Sequence, residues 1–388
     1  MNVRIPLGLF ASIVTLISIL LLSFAWYLSS SIIADGIIVV RDDVCSANHC
    51  SKRSPSGTAV NIKNYQDLSM ENLDKSKNMK EIEHGISKKI NALQVKLKKD
   101  PKNEQVLSEL GTCFLAVNKP ESAIGLLKIA VKISERNPKD WYNLGLAQYR
   151  IHNYIAAIQS YNKALNLKPA YTKARYNLGV VYLQMGENIK ARDVFLETLK
   201  YDKSSGVTKT YFQLAFTLGR LGELKGAIKE YKEAIRLKPD YIAARFNLAI
   251  TLIKLGYLQE AIAELDKLIK LGDNSAKINY LLARTHEKLG EIDLAIEYYR
   301  KAMKLGYNIV KGEYSIGLLL YNQKKYQQSI NAFKMVLKKE PENWRAMYHI
   351  SQNYQKLKDT SNAKRYAASV LKIQPEHTIS KKILYSNK

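Results

Sequence analysis

Cysteine, proline and acidic side chains are all scarce in this chain of 388 residues, and each shortage excludes a class of protein. The 3 cysteines are too few to staple a fold of this size, which excludes a disulfide-rich secreted scaffold. With 9 prolines and 46% hydrophobic residues, the chain is neither collagen-like nor disordered as a whole. The 35 acidic residues are outnumbered by 60 basic ones, and the net charge of +25 argues against a basic partner.

Catalytic motifs are missing as well. The sequence has no glycine-rich phosphate-binding loop, no nucleophile elbow and no His-Glu-x-x-His. The 6 histidines are scattered: we expect His286 at a packed helix position and His349 on a helix face, and Cys113 as a small buried residue. We therefore expect no catalytic residue, no metal, no cofactor and no enzyme.

One long apolar run stands at the amino end. Residues 5–34 contain no charged side chain, and the 22 residues from Leu7 to Leu28 would span about 33 Å as a helix, which matches the hydrocarbon core of a bilayer. The run predicts an uncleaved anchor over residues 1–34, with a single transmembrane helix at about 5–28. Arg4 precedes it and Arg41 is the one basic residue shortly after it, so the positive-inside rule favours a bacterial inner-membrane protein whose carboxyl domain is periplasmic.

A polar segment separates this run from the rest. Residues 35–79 lack apolar periodicity and are expected to form a flexible linker. Within it, Cys45 and Cys50 flank His49, but this spacing fits neither haem attachment nor a complete zinc site. A local disulfide is expected in an oxidising compartment and two free thiols in the cytosol. After it, apolar residues at steps of three and four predict an amphipathic helix over 80–99, within a segment 80–103 that caps the carboxyl-terminal part of the chain.

A unit of 34 residues then recurs eight times. Each copy has an apolar residue followed by a small one, and the spacing between copies is 34 except for one step of 36 near Ser204–Val207, where we expect a bulged loop. The pairs are Leu110-Gly111, Leu144-Gly145, Leu178-Gly179, Leu214-Ala215, Leu248-Ala249, Leu282-Ala283, Ile316-Gly317 and Ile350-Ser351. A second small residue follows 12 or 13 positions later, and four positions beyond it comes a large apolar or aromatic residue in every copy but the last, which has Ala367.

This pattern resembles the tetratricopeptide repeat family over residues 104–377, about 70% of the chain. Its best copy reads Trp141-Tyr-Asn-Leu-Gly145, then Tyr154-Ile-Ala-Ala157, then Pro169. The resemblance implies an all-α, right-handed superhelical solenoid of eight helix-turn-helix repeats, in which small residues let paired helices approach closely. Residues 378–388 are expected to form a short capping helix or tail.

The resemblance also implies that the first helix of each repeat lines a concave groove. Positions 2, 5, 6, 9 and 13 of the unit share one helical stripe, on which basic, aromatic and carboxamide side chains recur. The residues expected to contact a partner are Lys139, Tyr142, Asn143, Arg150, Lys173, Tyr176, Asn177, Lys209, Phe212, Gln213, Arg220, Asn247, Lys277, Tyr280, Lys311 and Tyr314. The alternative is that the tyrosines and asparagines are common to the family whatever is bound, and that the lysines serve solubility.

From these features we expect a membrane-anchored interaction scaffold. Its groove would grip an extended, acidic segment of a protein partner and so help to assemble an envelope complex. Three other functions stay open: an anionic polysaccharide-binding component of an export system, an organelle receptor facing the cytosol that binds chaperone or precursor tails, and a purely architectural role. Nucleic acid is a poor fit to an anchored, exported domain.

Overall fold

The computed structural model describes residues 75–202 and 206–385, with side chains from residue 84 onward. The predicted transmembrane segment at 5–28, most of the predicted linker, and Cys45 and Cys50 lie outside these residues. Within them, eighteen helices and no strands are present. None of these helices combines the length and the hydrophobicity needed to cross a bilayer.

The first helix, α1 (Lys75–Lys99), precedes eight helical hairpins. The hairpins are α2 (Glu104–Ala116) with α3 (Pro120–Ile133), α4 (Pro138–Arg150) with α5 (Tyr154–Leu167), α6 (Thr172–Gln184) with α7 (Asn188–Tyr201), α8 (Val207–Arg220) with α9 (Leu224–Leu237), α10 (Ile242–Leu255) with α11 (Leu258–Lys270), α12 (Ala276–Leu289) with α13 (Ile292–Lys304), α14 (Ile309–Asn322) with α15 (Tyr326–Lys339), and α16 (Trp344–Lys356) with α17 (Thr360–Ile373). The final helix is α18 (Thr378–Tyr385). We call the first helix of each hairpin its A helix and the second its B helix, and we number the hairpins one to eight.

The ends of the array are closed by α1 and α18. Helix α1 begins at Lys75, five residues before the amphipathic pattern predicted, because neither glycine nor proline interrupts the chain there. Ile86, Ile90 and Leu93 of α1 pack on the first A helix. At the other end, Ile383 of α18 is 4% exposed and joins the core of hairpins seven and eight. Each terminal hairpin therefore has its outer apolar face covered.

Close approach of the two helices in a hairpin depends on the small residue identified in each repeat. A Cβ atom on Gly145 would lie 2.8 Å from the ring of Tyr161, and one on Gly179 would lie 2.6 Å from the ring of Phe195. Tyr161 and Phe195 are fully buried. The large residue of the B helix therefore fills the space that the glycine leaves empty, which confirms the packing expected from the sequence.

The turn between A and B helices imposes a second local requirement. In every hairpin this turn holds one residue with positive φ: Asn118, His152, Gly186, Gly222, Gly256, Gly290, Lys324 and Lys358. Four of the eight are glycine, the residue that adopts this conformation without steric cost. The other four, with φ between 56° and 62°, are held there by the packing of the two helices that they join. The inserted pair near Ser204–Val207 lies in the connection between α7 and α8, and residues 203–205 of it lie outside the described part.

Candidate partner-binding face

The stripe of the A helices formed by positions 2, 5, 6, 9 and 13 of each repeat, here called the A face, carries all sixteen residues expected to contact a partner. Its position-2 lysines differ in exposure: Lys139, Lys173 and Lys311 are exposed, whereas Lys209 and Lys277 are half-buried. The Nζ atom of Lys277 lies 4.8 Å from the ring centroid of Phe246 in the preceding hairpin. Desolvation at this site lowers the pKa of Lys277.

The position-5 aromatic residues pack inward more deeply than an open groove floor requires. Tyr142 and Phe212 are buried, whereas Tyr176, Tyr280 and Tyr314 remain half-exposed. The ring of Phe212 lies 5.9 Å from that of Tyr231 in its own B helix. Tyr142 and Phe212 therefore hold the two helices of a hairpin together, and their burial does not fit the expectation that they contact a partner.

A third set of rings completes this packing, and sequence reasoning missed it. Phe212 also lies 5.2 Å from Tyr241, which precedes the next A helix, and Tyr280 stacks on Tyr307 at 4.1 Å between ring centroids. Tyr171 occupies the same place beside Tyr142. The sequence does contain a signal for these rings, because Tyr171 and Tyr241 each stand two residues after a proline that closes a repeat.

The carboxamide side chains at position 6 also differ in burial: two are buried and two are partly exposed. Asn143 is buried and its Nδ2 donates to Oγ1 of Thr112 at 3.0 Å, and Nδ2 of Asn177 donates to the Tyr142 hydroxyl at 3.3 Å. Asn247 is 4% exposed, and its buried Nδ2 has no acceptor among the described residues. Gln213 is half-exposed. Asn143 and Asn247 thus lie beneath the surface, because neighbouring A helices pack over them, while Asn177 and Gln213 stay partly accessible.

The arginines at position 13 stabilise the stack. Nη1 of Arg150 donates to the carbonyl oxygen of Leu115, and Nη1 of Arg220 donates to that of Leu183 at 3.1 Å. Both acceptors lie in the last turn of the preceding A helix, where they also accept a turn hydrogen bond from the backbone N–H of Asn118 or Gly186 at 3.2 Å, and where a cation is favourable. These arginines therefore link one hairpin to the next while contributing positive charge to the A face.

Positive charge is concentrated on the A helices of hairpins three to six. These four helices contain one acidic residue, Glu287, and nine basic residues: Lys173, Arg175, Lys209, Arg220, Arg245, Lys254, Lys277, Arg284 and Lys288. On the B helices of the same hairpins, basic and acidic residues are mixed and form ion pairs, such as Lys232 with Glu260 at 3.2 Å and Lys301 with Glu297 at 2.7 Å. Seven of these nine lie on the A face, whereas Arg175 and Arg245 are at position 4. The A face of these hairpins carries no acidic residue, so it presents the more uniform positive field, which suits an anionic partner.

Position 4, on the B-helix side of each A helix, is tryptophan in hairpin two and arginine in hairpins three and five. The Trp141 indole donates to the carbonyl oxygen of Glu135, six residues earlier, at 2.9 Å. Arg245 replaces it in hairpin five and donates through Nε to the carbonyl oxygen of Pro239, also six residues earlier, at 3.0 Å. Arg245 thus reproduces in hairpin five the hydrogen bond that Trp141 makes in hairpin two.

His286, His349 and Cys113 take structural positions. Nδ1 of His286 lies 2.5 Å from Oε2 of Glu291 and its ring stacks on Tyr298. His349 stacks on Phe333 at 5.0 Å, and burial lowers its pKa. Burial likewise raises the pKa of the Cys113 thiol. No group of three or more metal-ligating side chains is found within 75–202 and 206–385.

Models of the tetratricopeptide repeat match four stretches of the chain that together span about half of it. They cover residues 153–186 and 220–256, residues 172–205, 242–271 and 276–305, and residues 314–375. The chain belongs to the tetratricopeptide repeat family. Its described residues form an all-helical solenoid with the fold of a protein–protein interaction scaffold.

Individual relatives of this tetratricopeptide repeat protein match shorter stretches. The chain is 28% identical to the BBSome complex member BBS4 of Bos taurus over 36% of its own length and 26% of that protein's. It is 30% identical to the peroxisomal targeting signal receptor of Candida albicans over 30% of its own length and 20% of the receptor's. The chain thus spans about a quarter or less of these curated relatives. Among solved structures it is similar to MamA, with 28% identity, coverage of 44% of this chain and 97% of MamA, and a TM-score of 0.39.

Proposed function

We propose that this tetratricopeptide repeat protein binds an extended, acidic segment of a protein partner along the A face of hairpins two to six. The observation that carries this proposal is the concentration of basic side chains on the A face of hairpins three to six, which Lys139 and Arg150 extend to hairpin two. Position 2 is a lysine in hairpins two, three, four and six, and in hairpin five, where it is Ala243, the A face carries Lys254 instead. Successive acidic residues of an extended segment can therefore meet successive lysines. Half-exposed Tyr176 and Tyr280 supply apolar contact between them.

Two relatives have names that agree with a recruiting role. One is a receptor for a targeting signal, and another is a member of a multi-protein complex. Each shares only a segment of repeats with this chain, so these names support binding of a protein segment as a class of activity. They supply neither the partner nor the compartment.

We further propose that residues 1–34 anchor the chain in a membrane, with the repeats in a bacterial periplasm, so that it organises an envelope complex. Anchoring confines the A face and a membrane-bound partner to a thin layer, which raises their effective concentration. Weak contacts of single lysines would then be sufficient. Deleting residues 1–34 should move the protein from the membrane fraction to the soluble fraction, which membrane flotation would detect.

The binding proposal is tested with a fluorescent glutamate-rich peptide of about 15 residues, long enough to pass several hairpins when extended. Full-length protein carrying Lys173→Glu and Lys209→Glu should bind it roughly tenfold or more weakly, because attractive pairs become repulsive ones. The matched control reverses two exposed B-helix lysines, Lys163→Glu and Lys229→Glu, with the same change in net charge. Equal weakening in both variants would contradict a specific A-face site.

An anionic polysaccharide is the second candidate, since the same lysines and aromatic rings could bind acidic sugars. Comparing the binding of the glutamate-rich peptide with that of a uronic-acid oligomer of the same charge distinguishes the peptide proposal from the polysaccharide proposal. The peptide proposal predicts that the glutamate peptide binds more tightly and that its glutamine analogue retains measurable binding at low salt, because backbone contacts to Asn177 and Gln213 persist. Preference for the oligomer would favour the glycan.

A further inference from the structure

A cleft of about 530 Å³ opens between hairpins two and three on the B-helix side, apart from the A face. Leu165, Leu178 and Val194 give it apolar walls. Asn162 and Asn166 line it from α5, one helical turn apart. The cleft thus combines an apolar surface with two amides that can donate and accept hydrogen bonds.

Arg175 also lines this cleft, and its guanidinium is incompletely paired. Only 7% of the side chain is exposed. Nη2 lies 3.4 Å from Oε1 of Glu197, and the guanidinium stacks over the Tyr201 ring at 4.5 Å. Nη1 is buried without an acceptor among the described residues. A buried charged donor in this condition is unfavourable, so the site is suited to receive an acceptor from outside.

Arg245, the equivalent arginine of hairpin five, shows which hydrogen-bond acceptor Arg175 lacks. Arg245 donates to the carbonyl oxygen of Pro239 at 3.0 Å through Nε and at 2.8 Å through Nη2. Its Nη1 donates to Oε2 of Glu264, 19 residues later, at 2.6 Å. In hairpin three the residue 19 positions after Arg175 is Val194. The carboxylate that completes the site at Arg245 is therefore absent at Arg175, and a valine wall of the cleft stands in its place.

We propose that this cleft binds a ligand carboxylate attached to a short apolar group, such as an apolar carboxyl-terminal residue of a peptide or a small aryl carboxylic acid. The ligand carboxylate accepts from Nη1 of Arg175, as Glu264 does from Arg245, and the apolar group packs on Leu165 and Val194. Glu197 competes for the same guanidinium and repels the ligand. This site is independent of the proposed A-face function, since it uses the other side of the array.

The test uses full-length protein in lipid nanodiscs and fluorine NMR of 3-(4-fluorophenyl)propionate, with its neutral amide as the comparison. Saturable binding is expected in the millimolar range, as is usual for a ligand of this size. Binding of the amide is expected to be about tenfold weaker. Acetyl-glycyl-4-fluorophenylalanine, run in parallel, assigns a peptide terminus if it binds more tightly and a free acid if it does not.

Four variants make the assignment specific to the cleft. Arg175→Met should abolish binding, whereas Arg245→Met should leave it unchanged, because the second arginine is satisfied by Glu264. Val194→Glu should also abolish binding, while raising the unfolding temperature, since it supplies the missing internal acceptor. Glu197→Gln should tighten binding by roughly threefold or more, because a competing charge is removed.

If Arg175→Met fails to fold, Val194→Glu and Glu197→Gln still test the proposal, because they change the surroundings of the Arg175 guanidinium without removing it. Binding that survives Val194→Glu, or weakens in Glu197→Gln, overturns the proposal. So does equal binding of the acid and the amide.

Discussion

At the scale of single residues, the narrowest contacts in the array are those between a helix glycine and a buried ring. Gly179→Ala would place a Cβ atom 2.6 Å from Phe195, which is fully buried and cannot move aside freely. Alanine favours helix by up to about 1 kcal/mol, but overpacking of this kind costs roughly 1–3 kcal/mol, so we expect a net loss of stability. Chemical denaturation would measure it.

Gly125 provides the matched control for this substitution. It lies inside α3, and a Cβ atom there would meet nothing within 4 Å. Gly125→Ala should therefore stabilise the protein by up to about 1 kcal/mol through helix propensity alone. If the two substitutions changed stability in the same direction, close packing at Gly179 would not be the cause.

Asp140 is a residue whose burial makes stability depend on pH. It is fully buried, and its Oδ2 accepts from Nδ2 of Asn137 at 2.9 Å. Desolvation raises the pKa of Asp140 from 3.8 to about 6, even though the Ser108 hydroxyl donates to it. The folded protein therefore holds this proton more tightly than the unfolded chain does. This tighter proton binding stabilises the folded state fully below pH 3.8, and the stabilisation is lost as the pH rises to about 6.

Asp140→Asn removes this titration while keeping the shape of the side chain. We expect the variant to be more stable than the parent at pH 7.5 by roughly 1–3 kcal/mol, and similar to it near pH 3.8. Thermal unfolding at the two pH values would measure the difference. A variant that loses stability at pH 7.5 would show that the charged carboxylate is favourable where it lies.

At the scale of elements, the turn between the A and B helices is a repeated requirement that only half of the hairpins meet with glycine. Lys358 has φ of 62°. Lys358→Gly should stabilise hairpin eight by about 0.5–1 kcal/mol, because steric strain exceeds the added entropy of the unfolded glycine. The reverse change, Gly222→Lys, should destabilise hairpin four by a similar amount. Opposite shifts in denaturation midpoint are expected.

The helical hairpins were predictable from sequence because their defining contact is local. The small residue of an A helix and the large residue of its B helix, such as Gly145 and Tyr161, lie 16 positions apart in every copy but the last, and this leaves a visible period. Tyr142 and Tyr171 belong to a packing that joins two hairpins, so neither their contact nor the burial of Tyr142 follows from helical periodicity. The incomplete pairing of Arg175 required comparison of Val194 with Glu264 in three dimensions.

At the scale of the whole molecule, the described array has two unlike sides. The A face of hairpins three to six carries seven basic residues and no acidic residue, whereas the B helices of these hairpins carry mixed charges, several of them in ion pairs. The net charge alone predicted an anionic partner but not which surface of the protein binds it. The stacked A helices identify that surface, because they place equivalent lysines on the same stripe.

Site-specific photo-crosslinking in the cell that produces this protein tests the A-face account most directly. Benzoylphenylalanine in place of Gln184, on the A face of α6, should trap a protein partner, and an excess of the glutamate-rich peptide should suppress that crosslink. The same photoprobe in place of Lys163, on the B helix α5, should trap none that the peptide suppresses. A crosslink at position 163 that the peptide suppresses, with none at position 184, would contradict binding along the A face.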